Sequence, residues 1–321
     1  MNRVGHEGRG ESVWLAWFLY ATLDAFVATC ASRGDRGREA RYTEHMRTLK
    51  EALHTHAWDG QWYLRAFFDD GSALGSAQND ECRIDSIAQS WAVISGAAPI
   101  DRASQAMAAV ERYLVRWDDA LVTLFAPPFD HTARDPGYIK GYLPGIRENG
   151  GQYTHAAVWA AMAFAALGDA QRTHELFAMI NPLNHADSAE KVKVYKTEPY
   201  VVAADIYAVA PHVGRGGWTW YTGSAGWLYR LIVESIIGLH LDAGNLRFVP
   251  CLPAKWESLE VAYRYGETVY NIQMRNVAGR GGDMQVTLDG IVQAGQSIAL
   301  TDDGVRHQVV VELSEINYLF Q

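Results

Sequence analysis

Residues 142–155 read Tyr-Leu-Pro-Gly-Ile-Arg-Glu-Asn-Gly-Gly-Gln-Tyr-Thr-His, and residues 156–167 continue as an almost wholly apolar run. The first stretch combines a basic and an acidic side chain, amides, adjacent glycines and a histidine, which is typical of a turn-rich loop. The second stretch has the length and composition of a buried helix. The sequence therefore predicts a polar loop that leads directly into a core helix.

Such a loop is suited to binding a polyhydroxylated or anionic ligand, because its polar side chains gather at the beginning of a helix. We expect Gly150 and Gly151 to loosen the backbone there. The alternative is a solvated loop with an ordinary helix cap, and the composition of the stretch alone does not separate the two interpretations.

The bulk composition narrows the class of protein. The chain has 321 residues, with 28 Lys and Arg against 37 Asp and Glu and a net charge of -9, which argues against a nucleic-acid partner. A local pocket can still oppose the net charge and hold an anion. The 11 Trp and 16 Tyr suit stacking on sugar rings, although aromatic residues more often fill a core.

The spacing of the cysteines and the hydropathy of the chain indicate its cellular compartment. Cys30, Cys82 and Cys251 lie far apart, with neither a metal-ligand spacing nor a disulfide framework, so we expect a reducing cytoplasm. The polar residues 1–11 differ from a signal peptide. We expect no membrane segment, because the longest apolar run, near 156–167, is too short to span a bilayer.

Hydrophobic periodicity divides the chain into two regions. Helices are predicted at 11–31, 36–55, 86–95, 103–115, 154–167, 170–180 and 224–239. The long loop 117–151 interrupts them, and a loop of this length in a compact domain is usually functional. Strand-like runs follow at 259–263, 269–272, 285–288 and 309–311. The predicted fold is mainly α over 1–242, followed by a C-terminal antiparallel β domain over 243–321.

Two further loops contain candidate site residues. Asp59 lies between Trp58 and Trp62, where burial could raise the pKa of its carboxyl for general-acid work, although a turn aspartate before glycine is the commoner interpretation. Thr222 and Gly223 lie at the start of a predicted helix. Its free N–H groups and dipole favour an anion, although the residues also fit a simple N-cap.

A metal site is not expected. His54 and His56 have the spacing of a metal-binding pair, but they lack a third ligand nearby. The sequence also lacks a nucleophile elbow, a phosphate-binding P-loop and a dinucleotide fingerprint.

Several motifs, in order along nearly the whole chain, resemble the inverting disaccharide phosphorylases, the family that includes cellobiose and chitobiose phosphorylases. The greatest likeness is to the phosphorylase-like C-terminal region of cyclic β-1,2-glucan synthases and to 1,2-β-oligoglucan phosphorylases. The matching segments are Met-Asn-Arg-Val-Gly at 1–5, Gly-Glu-Ser-Val-Trp at 10–14, Trp-Asp-Gly-Gln-Trp-Tyr-Leu-Arg-Ala at 58–66, the loop 145–155, Glu-Pro-Tyr-Val at 198–201, Trp-Tyr-Thr-Gly-Ser-Ala-Gly-Trp at 220–227, and 250–256.

The resemblance implies an (α/α)6 toroid followed by a small β-sandwich-like domain. It also implies that inorganic phosphate, as co-substrate, attacks the anomeric carbon of a β-glucan oligosaccharide to give glucose 1-phosphate, with no cofactor. His155, Thr222 and Gly223 match phosphate-binding positions of the family. Arg147 and Glu148 match positions that line its sugar subsites.

One departure from the family concerns the general acid. The family's aspartate lies just before the Met-Asn-Arg-Val-Gly run, so it would fall upstream of Met1, and the toroid would be incomplete because the first helices are also missing. We therefore expect a C-terminal piece of a longer protein that is inactive alone, whose parent could be an inner-membrane glucan synthase. An incomplete barrel would expose apolar helix faces, so a homodimer is one expectation.

A second departure concerns substrate choice. Disaccharide phosphorylases have a glutamine shortly after Glu-Pro-Tyr-Val, whereas this chain has Val-Ala-Ala-Asp at 202–205. This favours the β-1,2-glucan branch over a cellobiose-type donor site. Two alternatives stay open, which are a non-catalytic carbohydrate-binding fragment and an (α/α)6-barrel hydrolase that uses Asp59.

Overall fold

The helices lie in the region where the apolar periodicity predicted them. The computed structural model describes residues 1–220, 222–277 and 284–313, with Thr222 described by its backbone alone. Its α-helices are α1 (Val13–Ser32), α2 (Arg36–His56), α3 (Ser86–Ile94), α4 (Ile100–Leu114), α5 (Thr154–Ala166), α6 (Ala170–Ile180), α7 (Ala189–Tyr195) and α8 (Thr222–Arg230). A π-helical turn, Leu231–Ile236, continues α8, and 3-10 turns lie at Tyr138–Gly141 and Pro182–His185. Helix α7 was not predicted from the sequence.

Side-chain caps explain where the early helices begin. The side chain of Ser12 accepts a hydrogen bond from the N–H of Leu15 at the start of α1, and Asp35 caps α2 in the same way. Asp85 accepts from the N–H of Ile87 at 2.9 Å at the start of α3. Each cap satisfies one of the N–H groups that a helix leaves free in its first turn.

An aromatic core joins α1, α3 and α5. Trp17 of α1 is fully buried, with its ring centroid 5.0 Å from that of Tyr63. Trp91 of α3 packs edge-on against Trp159 of α5 at 5.2 Å. Much of the tryptophan content therefore builds the core rather than a sugar platform, and edge-to-face pairs of this kind add about 0.5–1.5 kcal/mol beyond the area they bury.

Helix α1 contradicts one expectation from the sequence. It is long and apolar enough, by length and composition alone, to cross a membrane, and few of its residues are buried. The longest apolar run is therefore 13–32 and not, as expected from the sequence, the run near 156–167. Its ionisable side chains are Tyr20, Asp24 and Cys30. No other helix in the described part of the chain meets both criteria.

The loop between α4 and α5 is anchored rather than loosened by its polar residues. Asn149 is fully buried, accepts a hydrogen bond from the N–H of Phe129, and donates to the carbonyls of Phe129 and Tyr142, each at 2.8 Å. Gly150 and Gly151 are also buried. A β-carbon at Gly150 would lie 2.9 Å from a Pro128 side-chain carbon. The expectation of a loosened backbone is therefore wrong, because these glycines permit close packing.

Two-residue strands lie between the helices, and most of the strands that follow the helical region are longer. The short strands are β1 (Glu11–Ser12), β2 (Ala66–Phe67), β3 (Ala73–Leu74), β4 (Ile84–Asp85), β5 (Val115–Arg116), β6 (Leu121–Val122), β7 (Phe125–Ala126), β8 (Gln152–Tyr153) and β9 (Asp205–Ile206). The later strands are β10 (Leu239–Asp242), β11 (Asn245–Phe248), β12 (Ser258–Tyr265), β13 (Thr268–Asn276), β14 (Gln285–Leu288), β15 (Ile291–Val292), β16 (Ser297–Ala299) and β17 (Arg306–Leu313).

The later strands form two sheets, in the orders β10-β11-β16 and β12-β13-β17-β14-β15. The larger sheet differs from the antiparallel prediction, because β13 and β17 pair in parallel, from Val269 opposite Arg306 to Asn276 opposite Leu313. The β region also begins before residue 243. Ala243 and Gly244 both have positive φ values, and this turn lets β10 pair with β11.

The chain divides into two compact units. One contains Met1–Ala163 and Leu176–Trp227, and the other contains Phe164–Glu175 with the described residues from Leu228 onward. The domain division at residue 243 stays a prediction.

A histidine between two carboxylates joins loops of the larger sheet. His307 on β17 bonds to Asp289 through Nδ1 at 2.6 Å and to Asp303 through Nε2 at 3.2 Å, and its ring stacks on Tyr270. The hydrogen bond to Asp289, followed by that to Asp303, raises the pKa of His307. Only the protonated ring donates from both nitrogens, so the charged form fits this site best.

The first prediction concerns the buried amide. We expect Asn149→Ala to lower the free energy of unfolding by roughly 2–4 kcal/mol, because it leaves buried main-chain groups of Phe129 and Tyr142 without partners. Urea unfolding measures the change. Asn245→Ala, at an exposed strand position, is the control and should stay within about 0.5 kcal/mol of wild type. A loss below about 1 kcal/mol for Asn149→Ala contradicts the anchoring role.

The second prediction concerns pH. Since the pKa of His307 is raised in the folded state, its stabilising contribution is fully present below the ordinary histidine pKa of roughly 6.5 and is lost as pH rises through the higher folded value. His307→Ala should therefore lower the urea midpoint more at about pH 5.5 than at about pH 8.5. His45→Ala, at an exposed position of α2, should show no such difference. An equal loss at both pH values contradicts the prediction.

Candidate functional site

One extended segment, residues 203–208, connects the parts of the candidate site. On one side, β9 within this segment pairs antiparallel with β8, and the N–H of Thr154 donates to the carbonyl of Ala204 at 2.9 Å. On the other side, the N–H of Ala204 donates to the carbonyl of Trp218 at 2.6 Å. The strand that leads into α5 and the segment that precedes α8 therefore flank the same central strand.

Arg147 and Glu148, the predicted sugar-binding pair, lie together in the loop before β8. The Arg147 guanidinium lies over the rings of Tyr142 and Trp218, 5.2 Å from each ring centroid. Its Nε is 3.5 Å from Oε2 of Glu148, and both side chains are largely covered. Aromatic faces and a facing carboxylate hold the guanidinium in one place, which suits it to bind hydroxyl groups.

The backbone of Arg147 is strained. Its φ of 51° lies in the left-handed region, which costs a residue with a β-carbon on the order of 1–2 kcal/mol. Conformations of this kind persist where the surrounding structure fixes them, and they occur often in ligand-binding loops. Arg147 is therefore held in place by its surroundings rather than by its own preference.

His155 lies in the first turn of α5 among aromatic rings. Its ring centroid is 4.3 Å from that of Trp159, 6.0 Å from that of Trp227 and 6.5 Å from that of Tyr153. Burial lowers the pKa of His155, so the imidazole is neutral near pH 7. Within the described residues, its buried Nε2 has no hydrogen-bond partner. Such an atom is costly unless a ligand or water satisfies it.

Thr222 and Gly223 begin α8, as the sequence predicted. A helix of this length presents free N–H groups and a partial positive charge at its start. The side chain of Thr222 lies outside the described part of the structure, while Gly223 is exposed. The Trp227 ring farther along α8 packs against His155. The structure thus brings His155 against the helix of the predicted phosphate amides, and their joint binding of one anion stays a prediction.

Sequence reasoning missed the role of Asp205. This residue is 1% exposed, and its Oδ1 accepts the N–H of Trp218 at 3.2 Å. Burial raises the pKa of the Asp205 carboxyl, against the effects of the Trp218 N–H and the Arg147 charge. The sequence signal is a single carboxylate within the largely apolar stretch 200–209, at the end of the Val-Ala-Ala-Asp run that departs from the family.

Asp59 has a structural role in a turn. Its Oδ1 accepts from the N–H groups of Gln61 and Trp62 at 3.0 and 3.1 Å, and its Oδ2 accepts from that of Ala77 at 2.8 Å. Three main-chain donors thus occupy the carboxylate, as the turn interpretation predicts. The structure gives no support to Asp59 as a general acid.

The histidine pair also has a local explanation. His54 bonds through Nε2 to the carbonyl of Ala97 at 3.1 Å, and burial lowers its pKa. The described residues contain no group of three or more His, Cys, Asp or Glu side chains that could hold a metal ion.

Comparison with known proteins assigns the family. The sequence profile described as the glycosyl hydrolase 94 superfamily, catalytic domain, matches residues 1–238. The chain is 50% identical over 274 residues to the cyclic beta-(1,2)-glucan synthase NdvB of Rhizobium meliloti (strain 1021), across 85% of this chain and 10% of that protein. It is 31% identical over 317 residues to the solabiose phosphorylase of Paenibacillus borealis, across 98% of this chain and 40% of that protein.

A solved structure supports the fold. A chain named sialidase matches with a TM-score of 0.54 and 14% identity, over 77% of this chain and 22% of that chain. The chain spans less than half the length of the curated relatives above. The resemblance drawn from the sequence motifs is confirmed by the profile and by both relatives, and the chain belongs to the glycosyl hydrolase 94 superfamily.

Proposed function

We propose that this chain forms part of an inverting glycoside phosphorylase or glycosyltransferase that acts on β-glucan, with β-1,2-glucan as the substrate class. The observation that carries the proposal is the contact of His155 with α8. A half-buried neutral imidazole, whose buried Nε2 has no partner among the described residues, packs against the helix that begins at the predicted phosphate amides. The two relatives, a cyclic β-(1,2)-glucan synthase and a solabiose phosphorylase, support the same class.

In this proposal, phosphate binds between His155 and the amides of Thr222 and Gly223. The imidazole donates a hydrogen bond, and the helix start supplies N–H groups and positive potential. A phosphate oxygen then attacks the anomeric carbon from one face while the glycosidic bond breaks on the other, which gives glucose 1-phosphate with inverted configuration. Because phosphate is already an anionic nucleophile, the site needs no second carboxylate to activate water.

Arg147 and Glu148 are proposed to hold the sugar. Their charged groups are fixed by aromatic rings and by each other, so little side-chain entropy is lost on binding. The family resemblance assigns protonation of the leaving oxygen to an aspartate that, in the family, lies just before the Met-Asn-Arg-Val-Gly run. The residues of this chain therefore account for holding sugar and phosphate, and the reaction requires no cofactor beyond phosphate.

The complete architecture, the oligomeric state and the cellular location are also proposals. We propose that the helices belong to an (α/α)6 toroid and that the two C-terminal sheets make a β-sandwich. A homodimer is supported by exposed apolar side chains on α1, including Leu15, Phe18 and Phe26. A cytoplasmic location is supported by Cys30, Cys82 and Cys251, which are free thiols.

The third prediction tests the phosphate site. His155→Asn should weaken the binding of inorganic phosphate to the chain by roughly 10–100-fold, since a hydrogen bond to a charged group is worth about 1.5–3 kcal/mol. Isothermal titration calorimetry with phosphate measures the change. His45→Asn, at an exposed position, should bind as wild type does. Unchanged phosphate affinity in folded His155→Asn argues against the proposal.

The fourth prediction separates phosphorolysis from hydrolysis. With β-1,2-glucan and phosphate, a form that includes any coding sequence preceding Met1 should release glucose 1-phosphate, and activity should require phosphate. Asp59→Asn should retain this activity within about threefold per folded molecule, because Asp59 serves a turn. Free sugar released without phosphate, and lost in Asp59→Asn, favours the hydrolase instead. Glucan binding with no turnover in the extended form favours a non-catalytic binding protein.

A further inference from the structure

The Asp205 carboxylate is linked to the predicted sugar-binding pair through Trp218. Its Oδ1 accepts the N–H of Trp218 at 3.2 Å, and the Trp218 ring lies under the Arg147 guanidinium, with its centroid 5.2 Å from Cζ. The charges of Arg147 and Glu148 act on the same carboxylate. Asp205 therefore ties the loop of the predicted sugar-binding pair to the segment that leads to α8.

The Asp205 carboxylate packs directly against a glycine, Gly217. A β-carbon at Gly217 would lie 2.4 Å from both carboxylate oxygens of Asp205, far inside van der Waals contact. The N–H of Gly217 also donates to the carbonyl of Asp205 at 2.8 Å. The carboxylate can therefore occupy its position only because residue 217 has no side chain.

Stability alone is a poor explanation for this carboxylate. Asp205 is almost fully buried, and within the described residues its Oδ2 has no hydrogen-bond partner. A buried carboxylate with an unsatisfied oxygen costs free energy that an apolar side chain would not. What the carboxylate supplies is a fixed acceptor for the Trp218 N–H and a negative charge that interacts with the charge of Arg147.

We propose that Asp205 is a positioning residue, which fixes Trp218 under the Arg147 guanidinium so that Arg147 and Glu148 face the bound sugar. This inference rests on the proposed function, because it takes Arg147 and Glu148 as the sugar-binding pair. It adds Asp205 and Gly217 to the residues on which sugar affinity depends, although neither is proposed to touch the sugar.

Three variants separate the contributions of the carboxylate. Asp205→Ala removes it. Asp205→Asn keeps an Oδ1 acceptor for the Trp218 N–H but removes the charge beside Arg147. Gly217→Ala leaves Asp205 in the sequence and displaces its carboxylate. The probes are a linear β-1,2-gluco-oligosaccharide and inorganic phosphate, each titrated calorimetrically into the full chain, with the melting temperature recorded for every variant.

The fifth prediction is a selective loss of sugar affinity. Asp205→Ala and Gly217→Ala should weaken oligosaccharide binding by about tenfold or more, and Asp205→Asn by an intermediate factor, because residues in contact are energetically coupled. Phosphate affinity should stay within about threefold of wild type in all three, since within the described residues the hydrogen bond of the carboxylate goes to Trp218 and not to His155 or the α8 amides. Asp187→Asn, an exposed carboxylate paired with Lys191, is the control and should retain both affinities.

The other outcomes are separable. Oligosaccharide affinity that is unchanged in Asp205→Ala and Gly217→Ala overturns the positioning role. A parallel loss of both affinities together with a lower melting temperature also overturns it, because it shows a general structural role. If Asp205→Ala does not fold, Asp205→Asn and Gly217→Ala decide between these results. A wild-type chain that binds neither probe overturns the proposed function itself before any variants are compared.

Discussion

Main-chain hydrogen bonds on both sides of residues 203–208 are the constraint on which the candidate site depends. They fix Thr154, and with it the start of α5, on one side, and Trp218 on the other. Since His155 follows directly in the chain and the Trp218 ring lies under the Arg147 guanidinium, one strand sets the positions of groups that are remote in sequence. A break in the main-chain hydrogen bonds of this strand, unlike a change of the Asp205 side chain, would reach the proposed sugar and phosphate groups together.

The sequence was informative where local rules act alone. The spacing of apolar residues predicted α1, α2 and α6 nearly to their ends, and the motif order predicted the family that the profile confirms. The strands were harder to predict. The parallel pairing of β13 with β17 depends on contacts between residues distant in sequence, and no local pattern distinguishes it from the antiparallel arrangement that turns favour.

The candidate site was predicted only in part, because some of its residues form local motifs and others meet only in the folded chain. Histidine and helix-start residues are visible as motifs, and the structure places His155 against α8. The role of Asp205 depends on three segments meeting, so a single sequence shows only a carboxylate within an apolar stretch. The glycines of the loop show the opposite error, because Gly150 and Gly151 look flexible in sequence while Asn149 and Pro128 make their surroundings tight.

The fit of the Asp205 carboxylate over Gly217 has an evolutionary consequence. A β-carbon at residue 217 collides with the carboxylate as long as an aspartate occupies position 205. The order of two substitutions at these positions therefore matters. If position 205 loses its carboxylate first, a methyl group at position 217 enters without this clash, whereas a methyl group that comes first displaces the carboxylate.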